Sequence, residues 1–268
     1  MIDASIIAVA NQKGGVGKTT TAINLAAALS EHGKRVLVLD LDPQGNASTG
    51  LGIEPSARAH TTFDLLFDSV PVGDILRKTD FPGIWVCPAN NDLASADIEM
   101  SRSSRRTMLM KDALSRDELA AFRFDYVLID CPPSLSLLTI NAMVAAHSVL
   151  LPLQSEFFAL EGLSQLMLTI REVRKAANPE LRIEGVLLTM HDSRNRLSQQ
   201  VETDARATLG EVVFSTVIPR NVRVSEAPSF AQPVLFYDGQ SKGALAYRSL
   251  ADEVMARRRT SLIKETAS

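Results

Sequence analysis

The sequence predicts an α/β fold, a mostly parallel twisted sheet with helices on both faces, from three observations. Short, continuous apolar runs alternate with longer stretches of helical period, as parallel strands alternate with their crossover helices. Two of these runs end in aspartate, at the tips where ligands of open α/β sheets gather. Between the first run and the first helical stretch lies a glycine-rich string, NQKGGVGKTT, at residues 11–20.

Taken in order, residues 6–10 read as a strand buried on both faces, and 18–32 as an alanine-rich helix stopped by Gly33. Residues 36–40 form the second strand. Residues 50–82 carry several small polar clusters and are expected to form short helices and loops. A weaker strand falls at 84–87, followed by a broken helical stretch at 92–120. Strands at 126–130, 149–153, 186–190 and 212–218 are then separated by helices at 136–146, 160–177 and 197–209, the last stopped by Gly210. A final helix covers 243 to about 259. There is no repeat, low-complexity tract or Pro/Gly/Ser linker, so residues 1–268 read as one domain, with a flexible tail from about 260.

Composition bounds the function. The chain has 268 residues, 46% of them hydrophobic, which suffices for a large core and excludes a disordered chain. No apolar run reaches the roughly 18 to 20 residues that span a bilayer, and no signal-type segment opens the chain, so a cytoplasmic protein without a membrane partner is expected. Cys87 and Cys131 close apolar runs and read as buried, reduced thiols. The net charge of −3 gives no overall attraction to nucleic acid, although basic residues slightly outnumber acidic ones from 191 onward.

The string at 11–20 departs from the pattern G-x-x-x-x-G-K-[ST] at one place, because Gln12 stands where the first glycine would fall. Lys13 takes up the difference. Gly14, Gly15 and Gly17, with Val16 between them, are positions for positive φ and close approach of backbone to phosphate. Lys18 neutralises β and γ oxygens, the Thr19 hydroxyl ligates Mg²⁺, and Thr20 donates to the α-phosphate. Lys13 is a surplus cation, and a second copy's nucleotide is its natural target. ATP and Mg²⁺ are the implied cofactors, and the whole reads as a single-domain P-loop NTPase of the deviant Walker A kind.

Two acidic strand tips agree with that. In RVLVLDLDPQGN, Asp42 is the candidate to orient the attacking water, and Asp40 to hold a magnesium-bound water. In YVLIDCPPS, Asp130 stands in the Walker B position, near Mg²⁺ through water. An aspartate at a strand end is also a common turn or cap residue. The three aspartates and the phosphate loop together favour the nucleotide reading.

With these motifs, and with PLQSEFFALEGL and IPRNVRVSEAPSFAQPVLFYD further on, the chain resembles the ParA/Soj-type chromosome or plasmid partitioning ATPases, in the larger group that also holds MinD. The resemblance runs nearly end to end. It implies an ATP-dependent, face-to-face homodimer in which Lys13 reaches the partner's phosphates. It also implies roles for Asp42 and Lys18 in hydrolysis, and for Pro219 and Asn221 in lining the adenine pocket. The dimer of such proteins binds double-stranded DNA without regard to sequence, which assigns Arg194 and Arg223 here, with Arg196 and Lys242 near them. The plain alternative is that Arg223 pairs with Glu226 and that Arg194 and Arg196 flank a helix. A ParB-type centromere-binding protein stimulates hydrolysis in this family, and the location is nucleoid-associated. With the phosphate loop ten residues in, no operator-binding extension is expected.

Three other readings are weaker. A membrane-cycling ATPase needs an amphipathic C-terminal helix, and Leu262 and Ile263 after Arg257, Arg258 and Arg259 make too short a stripe. An iron–sulfur component would use both cysteines, which read here as structural. A small-molecule kinase leaves Lys13 without a task. The four histidines lack ligand spacing, and Trp85, Phe157 and Phe158 read as core.

Overall fold

The computed structural model describes residues 4–68, 70–156 and 159–266. Seven strands form one sheet: β1 (Ser5–Val9), β2 (Val36–Asp40), β3 (Arg77–Lys78), β4 (Ile84–Cys87), β5 (Tyr126–Asp130), β6 (Ser148–Gln154) and β7 (Arg182–Thr189). Their order is β3-β4-β2-β5-β1-β6-β7, and every pairing is parallel except that of the two-residue edge strand β3.

Alternation within the apolar runs divides the core into two layers. Ile7, Val9, Val36 and Val38 point to the layer holding the helix Lys18–Glu31 and the last helix, Lys242–Thr266. Ile6, Ala8, Leu37 and Leu39 point to the other, against the helices Leu137–Ala145 and Ala159–Ala176. Burial on both faces is what continuous apolar runs predict. The register levels the strand ends, pairing Asp40 with Asp130 and Val9 with Asp130, so the tips of β1, β2 and β5 form one rim.

The expected strand at 212–218 is a correction. Val213 and Pro219 make only isolated parallel bridges, to Val186 and His191. Phe214 N and Ile218 N do donate to β7, to the carbonyls of Val186 (2.9 Å) and Leu188 (2.8 Å). Between them the N–H groups of Ser215 and Thr216 donate instead to the Glu253 carboxylate, at 2.9 and 3.0 Å, and the ladder breaks there. A carboxylate from a distant helix competes with the strand, which periodicity cannot reveal.

Residues 50–82 form short helices and loops as expected, though β3 was missed because two residues carry no periodic signal. The stretch 92–120 is broken into Asn91–Ser95, Ala96–Ser101, Leu109–Leu114 and Asp117–Ala120. Cys87 and Cys131 are buried and unbonded to each other. Burial pushes the Cys87 thiol up to about 12 and raises Cys131 as well. Trp85 is part-buried, edge-on to Phe122 at 5.3 Å. Phe157 and Phe158, and the tail after Thr266, lie outside the described residues. No helix among the described residues is long and apolar enough to cross a membrane.

Candidate nucleotide site

The phosphate loop is held from outside by side chains. Asn11 Nδ2 donates to Pro152 O (2.7 Å) while its Oδ1 accepts from Lys13 N (3.0 Å), and Thr189 Oγ1 donates to Val16 O (2.9 Å). Gly15 and Gly17 have φ of +74° and +86°, a region that glycine enters without penalty. Gly14 has no positive φ, contrary to expectation. A Cβ there would meet only Pro133, at an ordinary contact distance of 3.8 Å.

Gly17 is also the N-cap of the helix Lys18–Glu31, which has neither a side-chain cap nor an acid in its first turn. The positive end of its dipole and its first N–H groups are left for an external anion. Lys18 is buried, and its ammonium folds back to donate to Lys13 O at 2.9 Å. Burial lowers its hold on a proton, opposed first by Asp130 and then by Cys131 and Asp42.

Asp40 and Asp130 lie side by side, fully buried. Asp40 is well served, accepting from Asp42 N (3.2 Å), Ser48 N (2.8 Å) and Ser48 Oγ (2.7 Å). Burial still pushes it up to about 6. Neither oxygen of Asp130 accepts a well-formed hydrogen bond. Burial, then the neighbouring Asp40 charge, raises it well above the usual carboxylate range, with Thr19 and Lys18 favouring the ionised form. Asp42 is half-buried, and its Oδ1 accepts from Gln44 N at 3.0 Å, which fixes the carboxylate at the rim.

Beside the loop opens a cavity of about 350 Å³, lined by Gly17, Thr20, Met190, Pro219, Asn221 and Tyr247 among others. Pro219 and Asn221 both line it. Asn221 has a second task, since its Oδ1 caps the helix Val222–Glu226 by accepting from Arg223 N (2.9 Å) and Val224 N (3.3 Å). Met190, directly after β7, has a φ of +52°, a strained conformation for a side chain of its size. A larger cavity of about 540 Å³ lies at the opposite end of β7, between Arg182, Glu211 and Arg257, away from this chemistry.

Lys13, Arg194 and Arg223 are on the surface and paired. Lys13 Nζ bonds Glu156 Oε2 at 2.7 Å, outside its own loop. Arg194 is 90% exposed, with Nε 3.2 Å from Asp192 Oδ1. Arg223 lies 3.0 Å from Glu226 and 3.3 Å from Asp238. The His191–Pro219 bridge brings the loop of Arg194 beside that of Arg223, and Arg220 joins them there. The Arg194 N–H groups, with Arg220 adding its charge, hold Asp192 below the usual carboxylate range. Arg196 and Lys242 begin helices.

Sequence reasoning missed Asn11, Thr189, Met190 and Tyr247. Asn11, between strand and loop, was open to reading as a turn-fixing residue. The others reach the site only through the fold.

Residues 4–183 match the model of a family described as an AAA domain. The chain is 57% identical over 254 residues to the chromosome partitioning protein ParA of Caulobacter vibrioides, covering 95% of each. It is 51% identical over 251 residues to the sporulation initiation inhibitor protein Soj of Bacillus subtilis, covering 94% of this chain and 98% of that one. Among solved structures, a Mycobacterium smegmatis protein described as cobyrinic acid a,c-diamide synthase, with bound ADP and magnesium, superposes with a TM-score of 0.83 at 39% identity over 96% of each chain. The Pyrococcus furiosus cell division ATPase MinD superposes with a TM-score of 0.77 at 26% identity. With the deviant phosphate loop, the levelled aspartates and this similarity along nearly its whole length, the chain belongs to the ParA/Soj family of chromosome partitioning ATPases.

Proposed function

We propose that this protein hydrolyses ATP to drive DNA partitioning, with the nucleotide acting as the switch for self-association. The carrying observation is Asp130, a buried carboxylate whose oxygens accept no well-formed hydrogen bond, set near the Thr19 hydroxyl and the buried Lys18 at an uncapped helix N-terminus. A buried carboxylate so poorly served is costly to ionise unless a ligand completes it. Magnesium fits that need, with the Thr19 hydroxyl as direct ligand and Asp130 and Asp40 acting through water. Bound there, the ion would neutralise charge on the β and γ oxygens. Lys18, Gly14–Thr20 and the cavity with Pro219 and Asn221 would hold the nucleotide, and Asp42 would orient the attacking water.

Lys13 gives the switch its geometry. Its own loop already has Lys18, so the exposed ammonium can leave Glu156 for the phosphates of a second copy in a face-to-face dimer. Dimerisation would double a surface bearing Arg194, Arg223 and Arg220, enough for salt-sensitive, sequence-tolerant binding to DNA despite a net charge of −3. A ParB-type protein would then accelerate a slow hydrolysis and release the dimer from the nucleoid.

The test is sedimentation of the wild type and of Asp42→Ala with and without ATP, followed by a mobility shift with non-specific DNA. An ATP-dependent dimer is expected, persistent in the variant, and only that dimer shifts DNA. A monomer under every condition rules the switch out.

A further inference from the structure

Under the loop that carries Asp42 lies a second cation with no place in the nucleotide chemistry. Arg58 follows the short turn Pro55–Ala57, in a stretch the sequence presents as surface loop, yet its side chain is buried. Its guanidinium donates from Nε and Nη2 to Ile53 O (3.1 and 2.6 Å), from Nη2 to Thr49 Oγ1 (2.7 Å) and from Nη1 to Ala89 O (3.1 Å).

Those acceptors close a ring beneath the site. Thr49 Oγ1 donates onward to Gly45 O (3.0 Å), and Gly45 N donates to Asp42 O (2.9 Å). On the other side Ala89 N donates to Ser48 Oγ (3.0 Å), which donates to Asp40. Gly45 has a φ of +63°, and a Cβ on it would overlap Arg58 Nη1. The bare glycine and the guanidinium thus occupy adjoining space, and the turn after β2 rests directly on the cation.

We propose that Arg58 is a positioning residue for hydrolysis, holding the Asp42–Gly45 turn at the height where the Asp42 carboxylate meets the attacking water. The inference rests on the reading of Asp42 given above. Only a planar fork with five N–H groups reaches three acceptors on two segments at once, so lysine is not an equivalent. The gain is geometric, because a small displacement of a catalytic group costs far more rate than binding.

The experiment compares steady-state ATP hydrolysis, equilibrium binding of a fluorescent ATP analogue and thermal midpoint for the wild type, Arg58→Lys, Arg58→Ala and Thr49→Val. For Arg58→Ala, kcat is expected to fall about 10- to 100-fold, while KM and analogue affinity stay within about threefold. Arg58→Lys should lie nearer to alanine than to wild type. Thr49→Val, which leaves Arg58 in place and removes the hydroxyl linking it to Gly45, should lower kcat by about 2- to 10-fold with affinity intact; it decides the matter if the Arg58 variants do not fold. Unchanged kcat in a folded variant, or parallel loss of kcat and nucleotide affinity, overturns the proposal. An inactive wild type overturns the functional reading along with it, whereas an active wild type matched by its variants overturns this inference alone.

Discussion

At the phosphate loop, Lys18 and Asp130 are buried, Asp130 accepts no well-formed hydrogen bond, and the helix N-terminus is uncapped. At the surface beside β7, Arg194 and Arg223 each rest against carboxylates of their own chain. The first region buries ionisable groups that burial sets against their charged forms, where the free energy at stake is large and a ligand of matching charge relieves it. The second keeps charge satisfied in water, where each pair contributes about 0 to 1 kcal/mol and another anion can replace the carboxylate at little cost. A site of the first kind discriminates strongly; one of the second binds weakly, reversibly and with a strong dependence on salt.

The largest effect should come from breaking the interior side. Lys18→Ala is expected to weaken ATP binding on the order of 100-fold, measured by titration calorimetry, because it removes a charge-assisted contact from a buried site. A loss of less than about fivefold would place the two regions in the same class. Asp130→Asn should separate stability from ligation. Burial raises the Asp130 carboxyl, so the folded chain holds its proton in a window where the unfolded chain has released it. Wild-type stability without ligand therefore falls as pH rises through that window, and the variant keeps only the part of this slope that Asp40 contributes. At neutral pH the unliganded variant should melt a few degrees higher, roughly 2–4 °C per kcal/mol recovered, and lose the stabilisation that Mg-ATP gives the wild type. Calorimetric scans across pH decide this.

Smaller effects belong to the surface. Asp192→Asn frees Arg194, and DNA affinity should rise about two- to fivefold, the equivalent of one exposed pair. Arg194→Ala should lower the slope of log affinity against log salt by about one. The smallest change is expected for Glu156→Gln, which releases Lys13 and should lower the ATP concentration for dimerisation by about twofold in sedimentation.

The interior side of this comparison was mostly legible in the sequence. Continuous apolar runs fixed six of the seven strands, and the spacing of Lys13, Lys18, Asp40, Asp42 and Asp130 marked one rim. What was not legible depends on contacts between distant residues. Glu253 interrupts the expected strand at 212–218, Glu156 engages Lys13, and Arg58 goes under the turn after β2. Local pattern carries hydrophobic period and turn chemistry, but it cannot say which carboxylate lies across from which cation.

The margins of the sheet carry a further consequence. One is the two-residue β3, with Arg77 and Lys78, and the other is β7, overlaid by a segment whose N–H groups are partly diverted to Glu253. Neither presents a long row of open backbone donors and acceptors, the template on which amyloid-like stacking begins. Strand-by-strand stacking of copies is therefore disfavoured at both edges.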